Sequence, residues 1–140
     1  MALWLIVGAA LSALAALLHI GCIVFGAPWY RFFGAGEHMA QLAESGSRFP
    51  ALVTGAVAFV LMLWSVIALS GAGVLPAVPL LKPALLVICG VYLGRGLVGF
   101  FFMPSAAFGN SAAFWLWSSL ACVIIGGVHL IGLMQMSPSL

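Results

Sequence analysis

Four uninterrupted apolar stretches constrain the fold of this chain more than any other feature of its sequence. They cover about residues 2–25, 50–70, 82–103 and 114–135. A helix needs about 20 apolar residues to cross the hydrocarbon core of a bilayer, and each stretch meets that length. Because the stretches are continuous and do not alternate polar with apolar residues, they predict helices and not barrel strands. The sequence therefore predicts an all-α integral membrane protein, a four-transmembrane-helix bundle that forms one domain over residues 1–140.

The charge content of the chain excludes several classes of partner. Only 4% of the residues are charged and 66% are hydrophobic, whereas soluble domains carry roughly 25% charged residues. The net charge is +2, and the four cationic side chains are scattered along the sequence. Nucleic acid binding needs a concentrated basic surface, so it is excluded as a function. The partner that this composition predicts is membrane lipid.

The N-terminal stretch and the loops set the expected topology. The first apolar run lacks a positive n-region and is longer than a signal-peptide core, so we expect it to be retained as the first span. Four spans place both termini on one side of the membrane. Arg31 and Arg48 flank the first loop and Lys82 lies on the opposite side, which favours a cytoplasmic first loop and leaves mixed insertion open.

The first loop, FGAPWYRFFGAGEHMAQL at residues 25–42, concentrates polar side chains in a chain that has few. Aromatic rings next to a span end prefer the headgroup layer, so a run of five residues is predicted to anchor the chain there. These are Trp29, Tyr30, Arg31, Phe32 and Phe33. Residues 35–45 can form a short interfacial amphipathic helix. This helix either anchors the loop or covers the bundle end, bringing Glu37 or His38 toward the spans.

Arg95 is the most informative single residue, because it lies inside the third span. Counted from the end of that span it is ~12 Å deep. Arginine in hydrocarbon is unfavourable by a few kcal/mol on insertion scales, so it usually faces the bundle interior and has a partner. Gly94 and Gly96 beside it leave room for another group. Either Arg95 snorkels to the interface or bonds backbone carbonyls, or it binds a ligand.

His19 is predicted to lie at a height similar to that of Arg95. It is ~9 Å from the loop-1 end of the first span and shares a helix face with Gly8, Ser12 and Cys22. Small residues on such a face allow helices to pack closely. The third span has a similar pair, Gly90 and Gly94. His19 is either satisfied by a nearby carbonyl or hydroxyl, or it takes part in a binding site.

Metal and haem sites are disfavoured by geometry, and no cofactor is predicted. His129 lies ~13 Å from His19 along the bundle, whereas two axial histidines of one haem need nearly the same height. His19 and Cys22 stand three residues apart, but two ligands without a full coordination set are a weak indication of a metal. No span contains a carboxylate that could carry protons for export.

The loop GAPWYRFFGAGEHMA, followed by PALVTGAVAFVLMLWSVIALSGAG and YLGRGLVGF, resembles short four-span proteins of bacteria. The similarity covers most of the chain. It implies a bacterial inner-membrane location and no particular activity. The DoxX-like proteins share size and helix count, but the glutamate expected in their second span is absent here.

The leading hypothesis is a small membrane protein that binds an amphiphilic or anionic small molecule, or a lipid, near the first and third loops. In it Arg95 supplies charge, His19 a hydrogen bond or proton, and Glu37, His38, Tyr30 and Asn110 surround the entrance. A membrane enzyme acting on a lipid-like substrate would use Glu37 or His19 as general acid or base. The opposing hypothesis is a structural or accessory subunit, packed in a homo-oligomer or a larger complex.

Overall fold

The computed structural model describes residues 3–32, 37–76, 79–105 and 112–136, and it is helical throughout those ranges apart from short turns. No strand occurs within them. The helices are α1 (Leu3–Phe25), α2 (Ala27–Phe32), α3 (Glu37–Glu44), α4 (Phe49–Gly71), α5 (Leu81–Phe102) and α6 (Ala112–Met136). A turn of 3-10 helix, Met103–Ser105, extends α5.

Four of these helices, α1, α4, α5 and α6, are long and apolar enough to cross a membrane. The prediction of a four-helix membrane bundle is confirmed, and the observed ends lie within two residues of the predicted ones. Gly26 ends α1 with φ +75°, a backbone conformation that glycine adopts without steric cost. Pro50 lies in the first turn of α4, where a missing N–H costs nothing. The chain is a small multi-pass integral membrane protein.

The bundle consists of two closely packed antiparallel pairs, α1 with α4 and α5 with α6. The pairs meet where α1 contacts α6 and where α4 contacts α5. Glycines explain the close approach of α5 and α6: a side chain at Gly96 would collide with Val123 and the Ser119 carbonyl, and one at Gly126 would meet Tyr92 and Leu93. In lipid, such small residues let two backbones gain van der Waals contact.

The sequence predicted that small-residue faces of α1 and α5 pack against other helices, and the structure places these two faces differently. Gly8 and Ser12 of α1 are buried inside the bundle, as expected. Gly90 and Gly94 of α5 face outward, and no atom lies within 4 Å of the position that a side chain would take. A bundle of four helices buries only part of each surface, and the opposite face of α5 carries the interior residues Leu85, Ile88, Tyr92 and Gly96.

The first loop folds back on the bundle as two short helices, α2 and α3. α3 agrees with the helix expected at residues 35–45, whereas α2 was not predicted as a helix. Within the first loop, α2 packs against α1 and α3, and α3 also packs against α4. The Tyr30 hydroxyl shares a hydrogen bond of 3.1 Å with Thr54 of α4, and Trp29 lies against Gly21 of α1. The loop thereby covers the ends of α1 and α4.

Candidate functional site

Arg95 directs its guanidinium toward α6. Its Nη2 donates a hydrogen bond of 3.1 Å to the hydroxyl of Ser118, and its Cζ lies 4.9 Å from the centre of the Trp115 ring. A cation over an aromatic face is attracted by the ring quadrupole. Within the described part of the chain these are the partners of the guanidinium, and both are neutral. Among the described residues, the positive charge of Arg95 is therefore solvated by neutral dipoles.

Two buried polar atoms beside Arg95 have no hydrogen-bond partner among the described residues. They are Nη1 of Arg95 and the hydroxyl oxygen of Ser119, a residue that is 0% exposed. Both atoms lie next to Gly99, in the space that a side chain at that position would fill. An unsatisfied buried polar group costs about 1–3 kcal/mol. We refer to Arg95, Gly99, Trp115, Ser118 and Ser119 together as the Arg95 site.

The Arg95 site lies near the end of the bundle that carries the first and third loops. Arg95 is seven residues before Phe102, the end of α5, which corresponds to ~10 Å along the helix. Its guanidinium, however, reaches Gly99, which is only ~5 Å from that end. The side chain thus extends toward the headgroup layer, as long cationic side chains near span ends tend to do. The site is accordingly within reach of groups at the membrane interface.

His19 of α1 is half-buried and forms a hydrogen bond within its own helix. Its Nδ1 lies 2.6 Å from the carbonyl oxygen of Ala15. Because a carbonyl oxygen only accepts, Nδ1 carries the proton, and in the neutral ring Nε2 is then a hydrogen-bond acceptor. Among the described residues, no hydrogen bond or ring contact joins His19 to Arg95.

The contact between Ser12 and Tyr92 defines the relative height of α1 and α5. Their hydroxyls share a hydrogen bond of 2.7 Å, and the two helices run in the same direction. His19 lies two turns after Ser12 on the same face of α1, and Gly99 lies two turns after Tyr92 on the same face of α5. Since the guanidinium of Arg95 lies beside Gly99, this register puts His19 at about the same level. It agrees with the similar heights expected from the sequence.

A second polar cluster lies deeper in the bundle and contains no formal charge. Besides the pair Ser12–Tyr92, it includes His129 of α6, whose ring stacks on Tyr92 with centroids 5.4 Å apart. Nδ1 of His129 donates to the carbonyl of Ile125 at 2.8 Å, and Nε2 is buried without a partner. The ring lies against Gly8, where a side chain would meet it at 2.9–3.0 Å. We call Ser12, Tyr92 and His129 the neutral polar layer.

The remaining predicted site residues lie elsewhere or outside the described part of the structure. Tyr30 is 3% exposed and its hydroxyl shares a hydrogen bond with Thr54, so it holds α2 on α4. Trp29 stacks on Phe25 with centroids 4.6 Å apart. Phe33 and Asn110 fall outside the described residues. So do the side chains of Arg31, Phe32, Glu37 and His38, although their backbone belongs to α2 and α3.

Cys22, the weak metal candidate beside His19, is buried with Ala27, Tyr30 and Ala40 under the first loop. Its thiol is free, like those of Cys89 and Cys122. Across the described ranges, no group of three or more His, Cys, Asp or Glu side chains lies close enough to hold a metal ion. His129 is level with Gly8, which is ~16 Å from His19 along α1. The two histidines are thus far apart along the bundle.

Comparisons with protein-family models, with curated proteins and with solved structures found no match to this chain.

Several residues of these two clusters were not singled out from the sequence. Tyr92 is a polar residue near the middle of a span and precedes Arg95 by one turn, which was a usable indication of an interior position. Ser119 carries no such indication, because its neighbour Ser118 is equally small and polar. Only the rotation of α6 about its axis distinguishes the hydroxyl that bonds Arg95 from the hydroxyl that is enclosed. That rotation depends on packing against α5.

Proposed function

We propose that this protein binds an anionic amphiphile, a lipid or a lipid-like molecule, at the bundle end that carries the first and third loops. Arg95 is the residue that holds the anionic group, and His19 of α1 lies at a similar height along the bundle. The resemblance to short bacterial four-span proteins makes the bacterial inner membrane the proposed location. Membrane lipid then surrounds the bundle and also supplies its ligand.

The observation that carries this proposal is that Arg95 has no counter-charge among the described residues. Ser118 and Trp115 are neutral, and Nη1 has no partner among the described residues. A cation inside a bilayer is costly unless a partner compensates its charge. Arginine binds phosphate and carboxylate well because its planar fork matches two oxygens. An anionic headgroup would therefore complete the site.

Lipid retention after purification tests the proposal. The protein is extracted in mild detergent, and bound phospholipid is counted by native mass spectrometry in wild type, Arg95→Gln and Arg48→Gln. Arg48 is an exposed arginine at the start of α4, on the same side of the membrane, so its variant controls for general charge. Hydrogen bonds to charged groups contribute about 1.5–3 kcal/mol, so Arg95→Gln should reduce retention at least tenfold. Equal retention in wild type and Arg95→Gln would contradict the proposal.

A second candidate function is an accessory subunit of a larger membrane assembly. Gly90 and Gly94 favour it, because they form an outward-facing patch where another helix could approach the backbone of α5. Replacing both by valine would then release a stoichiometric partner in a pull-down from mild detergent. The variant Gly127→Val is a suitable control, since Gly127 is another glycine with open space around it. A clean homogeneous protein from wild type would count against this function.

A further inference from the structure

The four glycines of α5 have different surroundings. At Gly90 and Gly94, no atom lies within 4 Å of the position that a side chain would take. At Gly96, a side chain would meet the backbone of α6, 3.0 Å from the carbonyl oxygen of Ser119 and 3.1 Å from the nitrogen of Val123. Because helix backbone cannot move aside without disturbing the packing, Gly96 sets the distance between α5 and α6.

Gly99, one turn after Arg95, differs from Gly96 because the ends of two side chains lie beside it. A side chain at position 99 would collide with the hydroxyl of Ser119 and would lie 2.5 Å from Nη1 of Arg95. The hydroxyl of a helical serine can rotate toward a carbonyl of its own helix, so Ser119 can give way. The guanidinium of Arg95, in contrast, uses the space that this glycine leaves free.

This space determines the direction in which Arg95 extends. The guanidinium lies beside Gly99, ~5 Å from the end of α5, and from there it reaches two groups of α6. Nη2 donates to the hydroxyl of Ser118 at 3.1 Å, and Cζ lies 4.9 Å from the centre of the Trp115 ring. A methyl group at position 99 would displace the guanidinium, because the terminal atoms of arginine yield more easily than a helix. The charge would then leave its position near the headgroup layer.

We propose that Gly99 is the positioning residue of the Arg95 site. It lets the guanidinium extend along α5 to a depth at which an anionic headgroup can accept its hydrogen bonds. Gly99 acts through Arg95 and does not itself bind the ligand. This inference rests on the proposed function, because it assigns the residue that positions the anion-binding group. Gly96 and Gly99, three residues apart, thus have different roles: the first sets the helix spacing and the second places the charge.

The variants Gly99→Ala and Gly94→Ala form a matched pair for the test. Each adds one methyl group to α5 with the same change in helix propensity, but only position 99 borders the guanidinium. Binding of the anionic lipid phosphatidylglycerol to the full chain is measured by native mass spectrometry. Gly99→Ala should weaken binding about fivefold, the effect of one lost hydrogen bond, and Gly94→Ala should leave it unchanged. Equal binding by Gly99→Ala and wild type would overturn the inference.

A double-mutant cycle with Arg95→Lys distinguishes positioning of the charge from a general loss of packing. Lysine binds phosphate as a point charge and lacks the nitrogen that meets position 99. In the Arg95→Lys background, Gly99→Ala should therefore change lipid binding less than twofold. A purely structural role of Gly99 would weaken binding by the same factor in both backgrounds, and that result would overturn the inference.

The outcomes also separate this inference from the proposed function. Binding lost in Arg95→Gln and retained in Gly99→Ala overturns the positioning role and leaves the proposed function standing. Unchanged binding in Arg95→Gln overturns both. If Gly99→Ala does not fold, the same substitution is made in Ser119→Gly, which removes the colliding hydroxyl and keeps the guanidinium. The fivefold loss relative to Ser119→Gly alone should remain, and equal binding by these two variants would overturn the inference.

Discussion

The neutral polar layer and the Arg95 site place polar groups inside the same apolar bundle in different ways. In the neutral polar layer, Ser12, Tyr92 and His129 join three helices from the two pairs through short contacts between uncharged groups. In the Arg95 site, a full charge lies between the two helices of a single pair, close to the membrane interface. Uncharged polar groups can be largely satisfied within the protein. A charge inside a bilayer is costly unless an opposite charge, backbone carbonyls or the membrane interface compensates it.

This difference indicates separate roles for the two regions. The neutral polar layer fixes how the pair α1–α4 meets the pair α5–α6, because its contacts cross from one pair to the other. The Arg95 site does not join the pairs, and its charge has neutral partners within the described residues. We therefore attribute stability and helix register to the neutral polar layer, whereas ligand binding is the role proposed for the Arg95 site. Substitutions in the two regions should affect different measurements.

The largest effect is expected at Gly8, which makes room for the ring of His129. In Gly8→Val the new side chain would collide with a rigid, fully buried imidazole at about 3 Å. Overpacking of this kind costs about 1–3 kcal/mol. The free energy of unfolding, measured by titration with a denaturing detergent, should fall by about 3 kcal/mol. Gly94→Val places the same side chain in open space and should change the free energy of unfolding little. Equal losses of this free energy in Gly8→Val and Gly94→Val would contradict the packing of α1 on α6.

His129 itself should show the next largest effect, which depends on the replacement. His129→Ala removes a buried ring that stacks on Tyr92, and the cavity should cost about 2–3 kcal/mol of unfolding free energy. His129→Phe fills the space and removes the unpaired Nε2, so it should cost less than about 1 kcal/mol. The same detergent titration measures both variants. Both variants lack Nε2 and only His129→Ala leaves a cavity, so a larger loss in His129→Phe than in His129→Ala would contradict this account of the packing.

Arg95→Met should change the stability of the protein, and the sign of the change should depend on the lipid. In zwitterionic bilayers the variant removes an uncompensated charge, so it should be more stable than wild type by about 1 kcal/mol. In bilayers rich in phosphatidylglycerol the ligand stabilises only wild type, and the order should reverse. Thermal unfolding in nanodiscs of the two compositions provides the measurement. If wild type and Arg95→Met had the same order of thermal stability in both lipids, the separate roles given to the Arg95 site and the neutral polar layer would be contradicted.

The smallest effect is expected for Tyr92→Phe, which deletes one hydroxyl and leaves the ring in place. Its hydrogen bond to Ser12 is interhelical, and such bonds average about 0.6 kcal/mol in membrane proteins. A double-mutant cycle with Ser12→Ala isolates this contribution from the loss of each side chain. Lipid retention should not change in either variant. A parallel loss of bound phospholipid would mean that the two regions act together.

The sequence predicted the four spans because nearly charge-free apolar runs have few alternative structures. It also predicted that Arg95 and His19 lie near the same end, since height follows from counting residues along a helix. The partners of each polar side chain were not predictable, because they depend on the rotation of every helix about its axis. Gly90 and Gly94 show this clearly: their spacing indicated close packing, and only the rotation of α5 turns them outward.

The phosphate that we propose to complete the Arg95 site can be detected directly by solid-state NMR. The variant Arg31→Lys, Arg48→Lys leaves Arg95 as the only arginine of the chain, so arginine labelled with ¹³C at Cζ reports on that residue alone. In phosphatidylglycerol bilayers, ¹³C–³¹P dipolar dephasing should give a Cζ-to-phosphorus distance of about 4 Å, which a charge-assisted contact of guanidinium and phosphate requires. Absence of dephasing in a folded, membrane-embedded sample would contradict the account.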